Sequence, residues 1–209
     1  MTKPPSFDQE RKLHAQGCHL IAGIDEVGRG TIAGPVAAAA IILPKRADIP
    51  WLSLVRDSKQ LSPRRREHLF ELMQETGLAI GVGVVSQTEI DDKGIVPATR
   101  MAMRMAIEQL PLLPDFLLID AVKLPDVSIP QKSIIHGDCL CLSIACASIV
   151  AKVRRDRLMI ELDALHPGYG LARHKGYATR EHMLSLQRLG PCSIHRQSFA
   201  PVRRLVERC

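Results

Sequence analysis

Ile21-Ala22-Gly23-Ile24-Asp25-Glu26-Val27-Gly28-Arg29-Gly30 is the stretch on which the reading of the fold turns. The run from His19 to Ile24 reads as a buried strand, and it stops at two adjacent acids. A glycine-rich loop follows from Gly28 to Gly34. Adjacent strand residues point to opposite faces, so Asp25 and Glu26 reach one site only if the strand ends or bends there. The Gly28-Arg29-Gly30 segment permits that, because glycine lets the backbone turn and approach a ligand without a Cβ in the way. On its own, such a loop reads first as a simple turn. It matches neither a dinucleotide fingerprint nor a P-loop, since the glycine spacing and the Lys-Ser/Thr pair are missing.

Outward from this stretch the chain alternates strand and helix. Val36 to Leu43 is a second apolar run and a second strand. Ser62 caps a helix with Pro63 in its first turn; Leu69, Leu72 and Met73 give it a buried stripe, and Gly77 ends it. Leu78 to Val85 is strand-like, and Pro97 opens a helix with Met101, Ala102, Met105 and Ala106 on one face. Phe116 to Ile119 is a short apolar strand that ends at Asp120. A long helix is predicted from about Ser143 to Leu165, rich in small residues in its first half, and a shorter one from Thr179 to Leu189. Strands interleaved with helices define an α/β domain with a mixed sheet.

At 209 residues the chain is long enough for one domain with a real core. Residues 1–17 read as a polar tail, and about 164–209 as a basic, helical C-terminal portion. That last portion holds eight Lys or Arg against Glu181 and Glu207, so it carries all of the net charge of +6. Localised basicity points to a polyanionic partner, although an ordinary solvated basic surface explains it as well. Aromatic residues make up only 3%, which argues against a protein that stacks single-stranded bases and leaves duplexes open. The six cysteines form no C-x-x-C pair, and Cys139, Cys141 and Cys146 read as reduced core residues. No apolar run approaches the roughly 20 residues that span a bilayer. A cytoplasmic monomer that does not engage membranes is the expectation.

The acids at strand ends carry the chemistry. Asp25-Glu26 and Asp120 each terminate an apolar run, and His136-Gly137-Asp138 precedes the long helix. A carboxylate beside a buried strand is expensive unless something pairs with it, and several together raise one another's pKa. Mg²⁺ or Mn²⁺ resolves both problems, being hard cations that prefer oxygen ligands. Two ions about 4 Å apart can activate a water and stabilise the leaving oxygen in phosphodiester hydrolysis. Taken singly, Asp138 reads first as a helix cap, and Asp120 stands between the two readings.

Together the motifs closely resemble the ribonuclease HII family. The matching pieces are Gly23-Ile24-Asp25-Glu26-Val27-Gly28-Arg29-Gly30, Asp57-Ser58-Lys59-Gln60-Leu61-Ser62, Ile119-Asp120, Gly137-Asp138 and Ser143-Ile144-Ala145. Ala147 to Val153, His174-Lys175-Gly176-Tyr177 and His195-Arg196-Gln197-Ser198-Phe199 complete the set, in family order, over roughly Leu20 to Val202. Departures are small: Thr31-Ile32 stands where the family often has Pro-Leu, and Cys146 replaces a usual Ala. Asp138 as the fourth acid, and a sequence without the extra N-terminal substrate-binding domain, favour the HII over the HIII branch.

The resemblance implies a ribonuclease H-like mixed β-sheet flanked by helices, with a helical C-terminal portion. It implies that Asp25, Glu26, Asp120 and Asp138 are catalytic and bind two divalent ions, Mg²⁺ or Mn²⁺. The reaction it implies cuts the RNA strand of RNA–DNA hybrids and nicks 5′ of ribonucleotides embedded in duplex DNA, leaving 5′-phosphate and 3′-hydroxyl ends, as in ribonucleotide excision repair. Gly28, Arg29 and Gly30 map to the backbone that reads the 2′-hydroxyl, and Tyr177 to the ring that packs on the neighbouring sugar. Lys59 and Lys152 are candidate phosphate contacts, or simply solvated lysines. Gln109-Leu110-Pro111-Leu112-Leu113 resembles a sliding-clamp docking peptide, but it also reads as a helix end entering the next strand. The rival readings are a general ribonuclease H that needs runs of RNA and a non-catalytic nucleic-acid-binding protein. Clustered anions would do nothing for the latter.

Overall fold

The computed structural model describes residues 4–45 and 48–207. The chain runs through α1 (Asp8–Ala15), β1 (Ile21–Val27), β2 (Val36–Ile42), α2 (Pro63–Glu75), β3 (Ala79–Val85), α3 (Gln87–Lys93) and α4 (Ile95–Glu108). It continues through β4 (Phe116–Asp120), β5 (Gln131–Ile134), α5 (Gly137–Leu140), α6 (Leu142–Leu165), α7 (Leu171–His174), α8 (Arg180–Leu189) and α9 (Ala200–Val206). The strands form a mixed sheet in the order β3-β2-β1-β4-β5. β1, β2 and β3 pair antiparallel, whereas β4 lies parallel to β1 and β5 parallel to β4. This is the α/β architecture with a helical C-terminal portion that the sequence predicts.

One pairing positions the site. Ile24 lies opposite Ile119 in the parallel register, so the next residues of the two strands, Asp25 and Asp120, emerge side by side. The sheet is covered on both faces, and β2 is buried along its whole length. Ala39 and Ile41 enter a core shared with α2 and α6, while Ala38 and Ala40 enter the core beneath α4. Small side chains let the helices sit close. At Gly23 a Cβ would lie 2.2 Å from the Ser143 carbonyl carbon, so the start of α6 rests directly on β1. Ile24, Ile41 and Ile119 are fully buried, each contributing about 1.5–3 kcal/mol.

The structure corrects several boundaries. The opening stretch is not a polar tail throughout. Asp8–Ala15 forms α1, which buries Glu10 and Leu13, and Glu10 Oε1 accepts the Ser143 N–H at 2.8 Å at the start of α6. Met1 to Lys3 lie outside the described residues. α4 begins two residues before Pro97, which sits in the first turn, where no N–H is needed. α3, β5 and α9 are short and lack an apolar run that would announce them. Cys141 and Cys146 are buried thiols, while Cys139 is only half-buried, with its Sγ 3.8 Å from Asp57 Oδ2. No helix among the described residues is long and apolar enough to cross a membrane.

Candidate active site

Four acids gather at the ends of β1 and β4 and at α5. Asp25 is buried, and its Oδ1 accepts the Glu26 N–H at 2.7 Å. Burial, reinforced by the charges of Glu26 and Asp120, holds its carboxyl well above the usual carboxylate range; a hydrogen bond from Ser148 only partly opposes this. Asp120 Oδ1 accepts the Gly137 N–H at 2.7 Å, which fastens the start of α5 to the end of β4. Burial raises its pKa against that bond, and Asp138 adds to the rise. Asp138 is buried and accepts from Lys59 Nζ at 3.0 Å. Partial burial works against the Lys59 ammonium, but the bond to Asp138 and the charges of Asp138, Asp57 and Asp25 together outweigh it and keep the pKa above the ordinary lysine range.

Carboxylate oxygens of Asp25, Asp120 and Asp138 lie within 4.8 Å of one another. Three hard oxygen donors of like charge brought this close suit a hard divalent cation. Glu26 stands outside this set. Its Oε1 is held by Arg29 Nη1 at 3.0 Å, while Oε2 is buried without a partner. Burial raises its pKa despite Arg29. Asp57, Asp138 and Cys139 also place ligand atoms within 4.8 Å of one another, so Asp138 is shared between two groups.

Beside the acids, the glycine loop is gripped from within. Gly28 has φ +91°, and a Cβ there would meet Arg155 Nε at 2.2 Å. Arg155 donates to the Pro35 carbonyl, the Lys175 carbonyl and Thr31 Oγ1, each at 2.9 Å, and to the Ala33 carbonyl at 3.3 Å. Arg196 donates to the carbonyls of Gly34, Arg29 and Gly28 at 2.9, 3.0 and 2.7 Å. Both guanidiniums are fully buried. Burial lowers them to about 10 and about 9, which still leaves each charged at neutral pH. The sequence reading missed both as loop supports, and it counted Arg196 among a basic surface.

One cleft of about 220 Å³ is lined by Asp25, Glu26, Asp120, Gly28, Arg29, Gly30, Lys59, Lys152 and Tyr177. It therefore brings together every residue picked out from the sequence except Asp138, which touches it through Lys59. Tyr177 is 42% exposed there, and Lys152 Nζ lies 6.0 Å from its ring centroid. Lys152 is half-buried and donates to Asp156 at 2.7 Å, so it is not a free solvated cation. Ser58 and Ser148 also line the cleft and were not singled out; their hydroxyls are 2.8 Å apart. Arg66 donates to the Ser58 and Leu61 carbonyls and so pins the turn that delivers Lys59.

A mixed sheet with carboxylates converging from two parallel strands onto a cation-lined cleft is the architecture of a ribonuclease H-like nuclease. The sequence matches the Ribonuclease HII family model over residues 22–202, and the chain belongs to that family. It is 53% identical over 203 residues to the ribonuclease HII of Dehalococcoides mccartyi, covering 97% of this chain and 96% of that protein. Among solved structures it is similar to the ribonuclease H2 of Pyrococcus horikoshii OT3 (TM-score 0.75, 25% identity, 90% of this chain and 98% of that one). It is also similar to the ribonuclease HII of Archaeoglobus fulgidus solved in a complex with PCNA (TM-score 0.74, 27% identity, 88% and 96%). The chain is accordingly a metal-dependent endonuclease that hydrolyses the RNA strand of RNA–DNA hybrids.

Proposed function

We propose that this ribonuclease also nicks duplex DNA on the 5′ side of single embedded ribonucleotides, with two divalent ions held by Asp25, Glu26, Asp120 and Asp138. The carrying observation is that three of these carboxylates converge within 4.8 Å at a cleft also lined by Gly28, Arg29, Gly30 and Tyr177. Glu26 adds its buried, unpartnered Oε2. When bound, Mg²⁺ or Mn²⁺ supplies an activated water and charge stabilisation for the departing 3′-oxygen, giving 5′-phosphate and 3′-hydroxyl ends.

The protein's own groups set the register. The Gly28 carbonyl is committed to Arg196 and Thr31 Oγ1, so reading the 2′-hydroxyl falls to the other backbone groups of Gly28, Arg29 and Gly30. The Tyr177 ring packs on the adjoining sugar. Lys59 and Lys152 meet the phosphate backbone, which positions the duplex without reading sequence. Such an enzyme acts as a cytoplasmic monomer in ribonucleotide excision repair.

Cleavage of a labelled DNA duplex carrying one ribonucleotide tests this, with Mg²⁺ or Mn²⁺ and with chelator. A metal-dependent nick immediately 5′ of the ribonucleotide is expected. Cutting only of longer hybrids would replace this reading with that of a general ribonuclease H. A sliding clamp is the proposed partner of Gln109–Leu113: α4 ends just before it, and Leu112 and Leu113 are exposed. Failure of clamp and enzyme to co-purify would retire that pairing.

A further inference from the structure

Three histidines lie away from the acids and are buried together behind the backbone of Tyr177. His174 stacks on His182 with centroids 4.2 Å apart, and His182 Nε2 is 3.2 Å from His195 Nε2. Their partners specify the protons. His182 Nδ1 is 2.9 Å from the Tyr177 carbonyl, which can only accept, so Nδ1 carries the hydrogen and Nε2 accepts. His195 Nδ1 lies 3.0 Å from the Cys192 N–H, closer than the 3.3 Å to the Cys192 carbonyl, so it accepts. His195 Nε2–H is then the donor to His182. His174 Nε2 donates to the Tyr169 carbonyl at 2.8 Å, and its Nδ1 accepts the Gly176 N–H. Each ring is neutral, in one tautomer, with both nitrogens used.

The segments these rings join are the ones that hold the glycine loop. Ile32 N–H donates to the Gly176 carbonyl at 2.9 Å, Arg196 N–H to the Ile32 carbonyl at 2.9 Å, and Gly34 N–H to the Ile194 carbonyl at 2.8 Å. The Tyr177 ring and the loop thus face one cleft, and the histidines join, through hydrogen bonds, the segments that carry Tyr177 and hold the loop. We infer that His174, His182 and His195 form a neutral positioning unit that fixes Tyr177 against the Gly28–Gly34 loop and so sharpens selection of the ribonucleotide junction. The inference rests on the proposed roles of Tyr177 and Gly28 to Gly30.

The test uses the Mn²⁺-loaded enzyme on two substrates, a duplex with one ribonucleotide and a hybrid with a long RNA run. His182→Leu removes both hydrogen bonds, whereas His182→Asn keeps an amide donor near the Nδ1 place. Losing one such bond is worth about tenfold, so His182→Leu should lower kcat/KM about tenfold more on the single-ribonucleotide duplex than on the hybrid. His182→Asn should recover most of that difference. Equal losses on both substrates, or no loss, overturn the inference. Tyr177→Ala separates the two layers. If it loses the preference while His182→Leu keeps it, the histidine unit alone is wrong. If it keeps the preference, the reading of Tyr177 fails and takes the inference with it. Imidazole nitrogen NMR of the wild-type protein is independent of folding in any variant. His182 should show the Nδ1–H tautomer, with His174 and His195 as Nε2–H; a charged or Nε2–H His182 overturns the unit.

Discussion

Charge is buried on both sides of Gly28, and the two sides treat it in opposite ways. Beneath the loop, Arg155 and Arg196 direct their donors to seven acceptors, six of them carbonyls or hydroxyls between Gly28 and Pro35. At the strand ends, Asp25, Glu26 and Asp120 are held above their ordinary pKa by burial and by one another, and Glu26 Oε2 has no partner. A fully satisfied buried ion holds a backbone in place. An under-satisfied cluster of one sign is strained until a counter-ion arrives, which is the physical signature of a site that binds metal.

The largest expected effect tests the strained side. Asp120→Asn should lower hybrid cleavage about 10³-fold or more, because it removes a ligand and a charge from the cluster. Folding should be unharmed or improved, since one repulsive charge is gone, and Mn²⁺ should raise the melting temperature less than in the wild type. Near-normal turnover would break the assignment. On the satisfied side the outcome reverses. Arg196→Met strands the Arg29 and Gly34 carbonyls and leaves that of Gly28 with only the Thr31 hydroxyl, so urea unfolding should show a loss of about 3–4 kcal/mol. Arg196→Lys should recover little of it, because one ammonium cannot reach three carbonyls. A loss under about 1 kcal/mol would mean that the loop holds itself.

The comparison extends to pH. Burial, with His182 alongside, pulls His195 from its ordinary 6.5 down to about 4. The unfolded chain therefore takes up the proton first as pH falls. The stability tied to this ring is complete above about 6.5 and is lost progressively toward about 4, a total of about 3 kcal/mol. The acids run the other way. Their raised pKa values favour the folded state below the ordinary carboxylate range, and that contribution is lost as pH rises through the folded values. The difference between wild type and His195→Gln, measured without metal, isolates the histidine slope. A flat difference would show that His195 is not held neutral.

Legibility in the sequence followed the same division. Asp25 and Asp120 were visible because apolar runs stop at them, and Ser62 because a cap acts through its own neighbours. The parallel register that sets Ile24 against Ile119 was not visible, because it depends on a partner far along the chain. For the same reason nothing local separated Glu26, tied to Arg29, from the three acids that converge. Arg155 and Arg196 count as charges like any others until folding buries them. Glu10 looked like part of a polar tail because its partner, the start of α6, lies 133 residues away.

Lys59 sits on the boundary between the two regimes, and the smallest effect belongs to it. Its Nζ is 3.0 Å from Asp138 Oδ2, yet its side chain is 79% exposed while that of Asp138 is 5% exposed. Water already solvates the lysine, so the pair is worth about 0–1 kcal/mol, and Lys59→Gln should change stability in chelator by no more than that. Its contribution should appear with substrate instead. If Lys59 meets a phosphate, log K for duplex binding should depend on log salt with a slope smaller by about 1 in the variant, with no change in which site is cut. An unchanged slope would assign Lys59 to Asp138 alone, as the cation that partly neutralises an acid cluster otherwise left to repel itself.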